Sequence, residues 1–149
     1  MSKFKSKKDI KLFHCLHPAL ILVFADMSNY AFEKHGIELM VTATVSTLAE
    51  DKKLSRTSSS HRTSRALDFR TFDIPVFVLD DIVRYINSKP EYKKYHYLST
   101  NGSYKLAYLH NNGNGDHGHL AIHSKYSIDK PIKEISLKDR ICNYMPFLQ

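Results

Sequence analysis

The chain has 149 residues, 42% of them hydrophobic and 25% charged, with a formal net charge of +7. These values fit one globular domain able to bury a core, and they exclude a wholly disordered chain, a repeat array and a disulfide scaffold. Two cysteines, Cys15 and Cys142, lie far apart with no partner at metal-ligand spacing and read as free thiols.

Lys3, Lys5, Lys7 and Lys8 precede an apolar run and imitate a signal peptide. His14, His17 and Pro18 interrupt that run, Asp26 ends it, and no small-x-small cleavage site follows. Nothing is long enough to span a bilayer, so a chain made in the cytoplasm without membrane insertion is expected. From residue 18 to 34, Leu20, Val23, Phe24, Met27, Tyr30 and Ala31 recur at three and four. This predicts an amphipathic helix opened by Pro18 and closed by Gly36.

Apolar alternation over residues 37–45 predicts a strand, and the polar residues 46–60 read as a long loop, which in a compact domain is functional or disordered. A short strand follows at 66–69, with Ala66 and Asp68 on one face and Leu67 and Phe69 on the other. A second helix is predicted over about residues 76–87, ending before Pro90. Strands at 104–110 and 117–123, around the turn-forming residues 111–115, read as an antiparallel hairpin. A tail from Lys125, carrying Ile132, Ile135, Leu137, Ile141 and Met145, reads as a packed extension. The whole is a single α+β domain, a small mainly antiparallel sheet with packed helices, its core at about 16–123 and an extension at 124–149.

Two segments carry metal-capable side chains at loop-to-strand boundaries: Ser59 to Asp68, and Asp116-His117-Gly118-His119. His61 and Asp68 alone mean little, whereas His117, His119 and His123 share strand parity and point to one side. Hydrolytic zinc takes three N or O ligands and keeps a fourth position for water, and two histidines with one carboxylate meet that need. A second carboxylate must then serve as general base, for which Asp116 is the candidate.

The sequence resembles the zinc D-alanyl-D-alanine peptidases and related phage endolysins, which share a fold with the hedgehog signalling domain. That family's first motif, Ser-x-His-x-x-Gly-x-Ala-x-Asp, often with Arg before the Ala, is matched by Ser59, His61, Arg65, Ala66 and Asp68. Its second, an acidic residue, two residues, then His and an apolar residue, is matched by Asp116, His119 and Leu120. Together with the helix starting at His17-Pro18 and the strand at 37–45, the resemblance covers about residues 16–123. It implies zinc ligands His61, Asp68 and His119, with Asp116 as catalytic base. His117 would donate a proton or stabilise the transition state, and Ser59 and Arg65 would also face the substrate. The implied activity is hydrolysis of a stem-peptide amide in bacterial peptidoglycan, either L-Ala-D-Glu or a D-Ala bond, by a monomer released from the host cytoplasm or carried in a virion.

Two positions depart from the family pattern. Ser64 stands where Gly is usual, which matters if the backbone there needs positive φ. The first strand ends Thr42-Ala43-Thr44-Val45-Ser46-Thr47, without the Arg that binds substrate carboxylate, a role Arg56 or Arg62 would have to fill. His117-Gly118-His119 also admits a second ligand assignment, resembling the His-x-His pair of lysostaphin-type peptidases. A non-catalytic zinc-containing binding or structural protein of the same fold is the competing reading. Nucleic-acid binding is not expected, because the lysines are scattered and no recognition motif accompanies them.

Overall fold

The computed structural model describes residues 3–98, 102–111 and 116–128. The fold is α+β. Five strands form one sheet in the order β1-β2-β3-β7-β6: β1 Lys3–Phe4, β2 Met40–Ala43, β3 Ala66–Arg70, β6 Ala107–Asn111 and β7 Asp116–Ala121. β1 runs parallel to β2, and every other pairing in this sheet is antiparallel. A separate ribbon joins β4 Tyr97–Leu98 to β5 Tyr104–Lys105, so the strand expected at 104–110 breaks into two.

The helices are α1 Lys7–Phe13, α2 Pro18–His35, α3 Leu48–Lys53 and α4 Val76–Ser88, with short 3-10 turns at Pro90–Tyr95 and Ser124–Tyr126. α2 follows its sequence signals closely. His17 caps its start by accepting from the Ala19 amide at 3.1 Å, and Gly36 closes it in the left-handed conformation, φ 67°. Its stripe of Leu20, Val23, Phe24 and Met27 is fully buried, each side chain stabilising the fold by about 1.5–3 kcal/mol. The residues before it also belong to the fold, since Leu12 is buried in the core and Phe4 packs against it.

α2 and α4 pack on one face of the sheet against Leu67, Phe69 and Leu120. Gly118 lies opposite Phe69, and a Cβ there would overlap the Phe69 ring, so only glycine lets β7 approach β3 at this point. Strand alternation turns Asp68, His117 and His119 to the other face. One face therefore makes the core and the other offers the chemistry.

Among the described residues no single helix is long and apolar enough to cross a membrane, and the one helix pair that passes on composition, α1 with α2, bends by 120° at its break. The region 46–60 is not a bare loop. It contains α3, closed at its start by a capping box in which Thr47 and Glu50 bond to each other's backbone amides. The expected turn at 112–115, the tail from 129 and Cys142 lie outside the described residues.

Candidate metal centre

The site begins with a compact turn. The amide of Thr63 bonds to Ser59 O, that of Ser64 to His61 O and that of Arg65 to Ser60 O, which curls residues 59–65 into one helical turn ahead of β3. Ser64 ends the turn at φ 58°, the left-handed conformation that a glycine would adopt without cost, and its carbonyl accepts the His17 amide at 2.7 Å. The turn directs His61 inward, where it is buried against Asp68 of β3 and His119 of β7. These last two are register partners on adjacent strands.

His61, Asp68 and His119 each offer one ligand atom, and the three atoms lie within 4.8 Å of one another. Asp68 Oδ1 is 3.2 Å from His61 Nε2 and 2.8 Å from His119 Nδ1. Zinc bonds of about 2.0–2.2 Å in tetrahedral geometry would set neighbouring ligand atoms about 3.3–3.6 Å apart, near the 3.2 Å pair and wider than the 2.8 Å pair, so the spacing fits once the cluster opens slightly. Tautomer chemistry fits as well. His61 Nδ1 is 2.6 Å from Thr44 O, a partner that can only accept, so Nδ1 carries a proton and Nε2 is the nitrogen turned to the Asp68 carboxylate. Two acceptors face each other there unless a proton or a cation lies between them. The same carbonyl fixes the ring orientation, as outer partners of ligating histidines commonly do.

Burial alone would push the Asp68 carboxyl up, yet His61 and His119 outweigh it and hold Asp68 well below the usual carboxylate range. Its other oxygen, Oδ2, accepts from Arg56 NH2 at 2.8 Å.

These residues floor an open groove of about 780 Å³ lined also by Arg56, Arg65, Tyr97, Lys105, Tyr108 and His117. The Tyr108 ring sits 5.2 Å from that of His119, its register partner across β6 and β7. Burial pushes the phenols of Tyr97 and Tyr108 up, and the Tyr97 hydroxyl is itself buried beside Tyr108. Tyr97, Lys105 and Tyr108 escaped the sequence reading. The hairpin register would have placed Tyr108 across from His119, but the turn that sets it gave no unique loop length.

The remaining expectations divide. His117 lines the groove on the His119 face, whereas Ser59 does not, its neighbours Ser58 and Ser60 doing so instead. Arg65 lines the groove and donates to Ile122 O at 3.2 Å. Arg62 is held 2.7 Å from the buried Asp51 and does not line the groove. His123 has left the strand and accepts the Lys125 amide, though it still borders the groove. Asp116 is the correction in geometry. It opens β7, exposed, and its odd offset from His119 puts it on the opposite face, outside the groove lining.

Comparison with models of known families, with characterised proteins and with solved structures gives no match to this chain.

Proposed function

We propose that the chain is a zinc-dependent peptidase that hydrolyses an amide bond in the stem peptide of bacterial peptidoglycan. The observation that carries this reading is the convergence of His61 Nε2, Asp68 Oδ1 and His119 Nδ1 at the floor of an open groove, with His61 Nδ1 tied to Thr44 O so that Nε2 is turned to the site. The match of Ser59, His61, Arg65, Ala66 and Asp68, and of Asp116 and His119, to the peptidase motifs supplies the substrate class. A net charge of +7 suits an anionic wall.

When bound, zinc would lower the pKa of a water toward neutrality and polarise the scissile carbonyl. The chain's own residues do the rest. Thr44 O and Arg56 keep His61 and Asp68 oriented, and Tyr97 and Tyr108 line the groove beside them. Arg65 and Lys105 bring positive charge to the groove, where a substrate carboxylate would be received. For proton transfer two neighbours compete. The resemblance names Asp116, which would have to turn away from its strand pairing with Asn111, and alternation favours His117.

One observation favours the non-catalytic alternative. Arg56 and Arg62, which would replace the missing strand-end Arg, are both engaged by the chain's own carboxylates, Asp68 and Asp51. The test is release of new amine termini from purified peptidoglycan by wild-type protein, with and without a zinc chelator, beside Asp116→Asn. Chelator-sensitive release that stops in Asp116→Asn, with zinc retained, supports the peptidase and its base. Near-normal turnover in that variant moves the base role to His117, and no release by wild type leaves the binding protein.

A further inference from the structure

The polar segment 46–60 places an aspartate, Asp51, in the interior at 2% exposure. Burying a carboxylate costs several kcal/mol unless it is fully compensated. Here Ser46 donates to Oδ1 at 2.6 Å, Arg62 Nε lies 2.7 Å from Oδ2, and Arg56 NH1 lies 3.9 Å from Oδ1. α3 does not need this side chain for its own start, because its capping box uses Thr47 and Glu50. Asp51 stands between two arginines, with Arg62 its near partner and Arg56 at the edge of ion-pair range.

The backbone also brings Arg56 back to Asp51. Ser55, immediately before Arg56, has φ 52°, and the Arg56 amide returns to Asp51 O at 2.9 Å. Ser55 and Ser64 are the two non-glycine residues with positive φ among the described residues, and they bracket the segment that carries Arg56 and His61. Backbone strain of this kind costs about 1–3 kcal/mol and persists where the surroundings over-determine it.

We infer that Asp51 and Arg56 are positioning residues for the metal centre: Asp51 fixes Arg56, and Arg56 occupies Oδ2 of Asp68 so that Oδ1 alone faces the two histidines. The carboxylate is divided in this way in the structure, with Oδ2 on Arg56 at 2.8 Å and Oδ1 on His61 and His119. The inference rests on the metal reading above. Its consequence is that Asp68 offers a metal one oxygen rather than two, which keeps coordination low and a position open for water.

Cobalt(II) is the probe, because its visible absorption per ion is strong in four-coordinate sites and weak when coordination expands. Cobalt is titrated into wild type, Arg56→Ala and Asp51→Asn, with circular dichroism to verify folding. The expected result is a strong four-coordinate spectrum in wild type that falls several-fold in Arg56→Ala, as Asp68 becomes free to chelate through both oxygens, and falls partway in Asp51→Asn. Should Asp51→Asn not fold, Arg56→Ala decides, since it leaves Asp51 with Ser46 and Arg62. An Arg56→Ala spectrum identical to wild type overturns the inference while leaving the metal site in place. A loss confined to Arg56→Ala removes Asp51 from it. Wild type that takes up no cobalt overturns the metal reading and this inference together.

Discussion

Asp68 and Asp81 are surrounded by similar side chains in different settings. Each accepts from histidine and arginine, and each carboxyl is held well below the usual carboxylate range. Asp81 lies on α4 in the seam with α2, where Arg84, Tyr30 and His35 bond to it at 2.8, 2.7 and 2.9 Å. Tyr30 stacks on Tyr85 with ring centroids 3.7 Å apart, which closes the seam from the side. One histidine, a phenol and a guanidinium bring donors to Asp81 but only one further nitrogen with a lone pair to share. At Asp68 two histidines meet the carboxylate over a groove. Residue type does not separate the two clusters: the number of converging nitrogens does, together with the space in front of them, and both single out Asp68 as the candidate metal site.

The comparison breaks most visibly if the two carboxylates are neutralised in turn. Asp68→Asn is expected to abolish zinc binding and to destabilise the metal-free protein by about 3–5 kcal/mol, since it leaves the Arg56 guanidinium without its buried carboxylate; chemical denaturation with zinc analysis measures both. Next in size is Gly118→Ala, which attacks the same centre from the core side. Its Cβ would overlap the Phe69 ring, so a loss of about 1–3 kcal/mol is expected, with weaker zinc binding as β7 shifts His119.

Asp81→Asn should lower the melting temperature and leave zinc stoichiometry unchanged. The folded pKa of Asp81 is depressed, with Arg84 its largest cause, followed by Tyr30 and His35. Its contribution is therefore full above the unfolded carboxylate value of about 3.9 and declines progressively as pH falls from there toward the depressed folded value. The gap between the melting curves of wild type and Asp81→Asn should narrow steadily as pH falls below about 4. A gap that does not change with pH across that range would assign the stabilisation to packing. The smallest effect is at Ser64, held at φ 58°. Ser64→Gly relieves that strain against a looser unfolded chain, for an expected gain of about 0.5 kcal/mol with the metal site unaltered.

The sequence was most legible where one local rule decides the structure. Pro18, Gly36 and the apolar stripe of α2 define it, and alternation placed Asp68 opposite Leu67 and Phe69 as observed. α3 was missed because residues 46–60 read as merely polar, although Thr47 and Glu50 spell a capping box. His61, Asp68 and His119 were legible as a motif, but their convergence depends on the β3–β7 register, which composition does not specify. At Asp116 motif and strand geometry part. A motif reads as a linear string, whereas a strand reverses its side chains at every step, and a three-residue offset changes face. Arg56 reads in the sequence as a candidate for the substrate carboxylate; its tie to Asp68 Oδ2 depends on Ser55 turning the chain back, which no local pattern predicts.

The central claim is the metal centre, and the zinc content of purified protein beside His61→Ala and His119→Ala tests it without a guess at the substrate. The account predicts about one zinc per wild-type chain, with zinc lost in both variants while each stays folded. Wild type that binds no zinc after reconstitution, or variants that bind it as well as wild type, would contradict it.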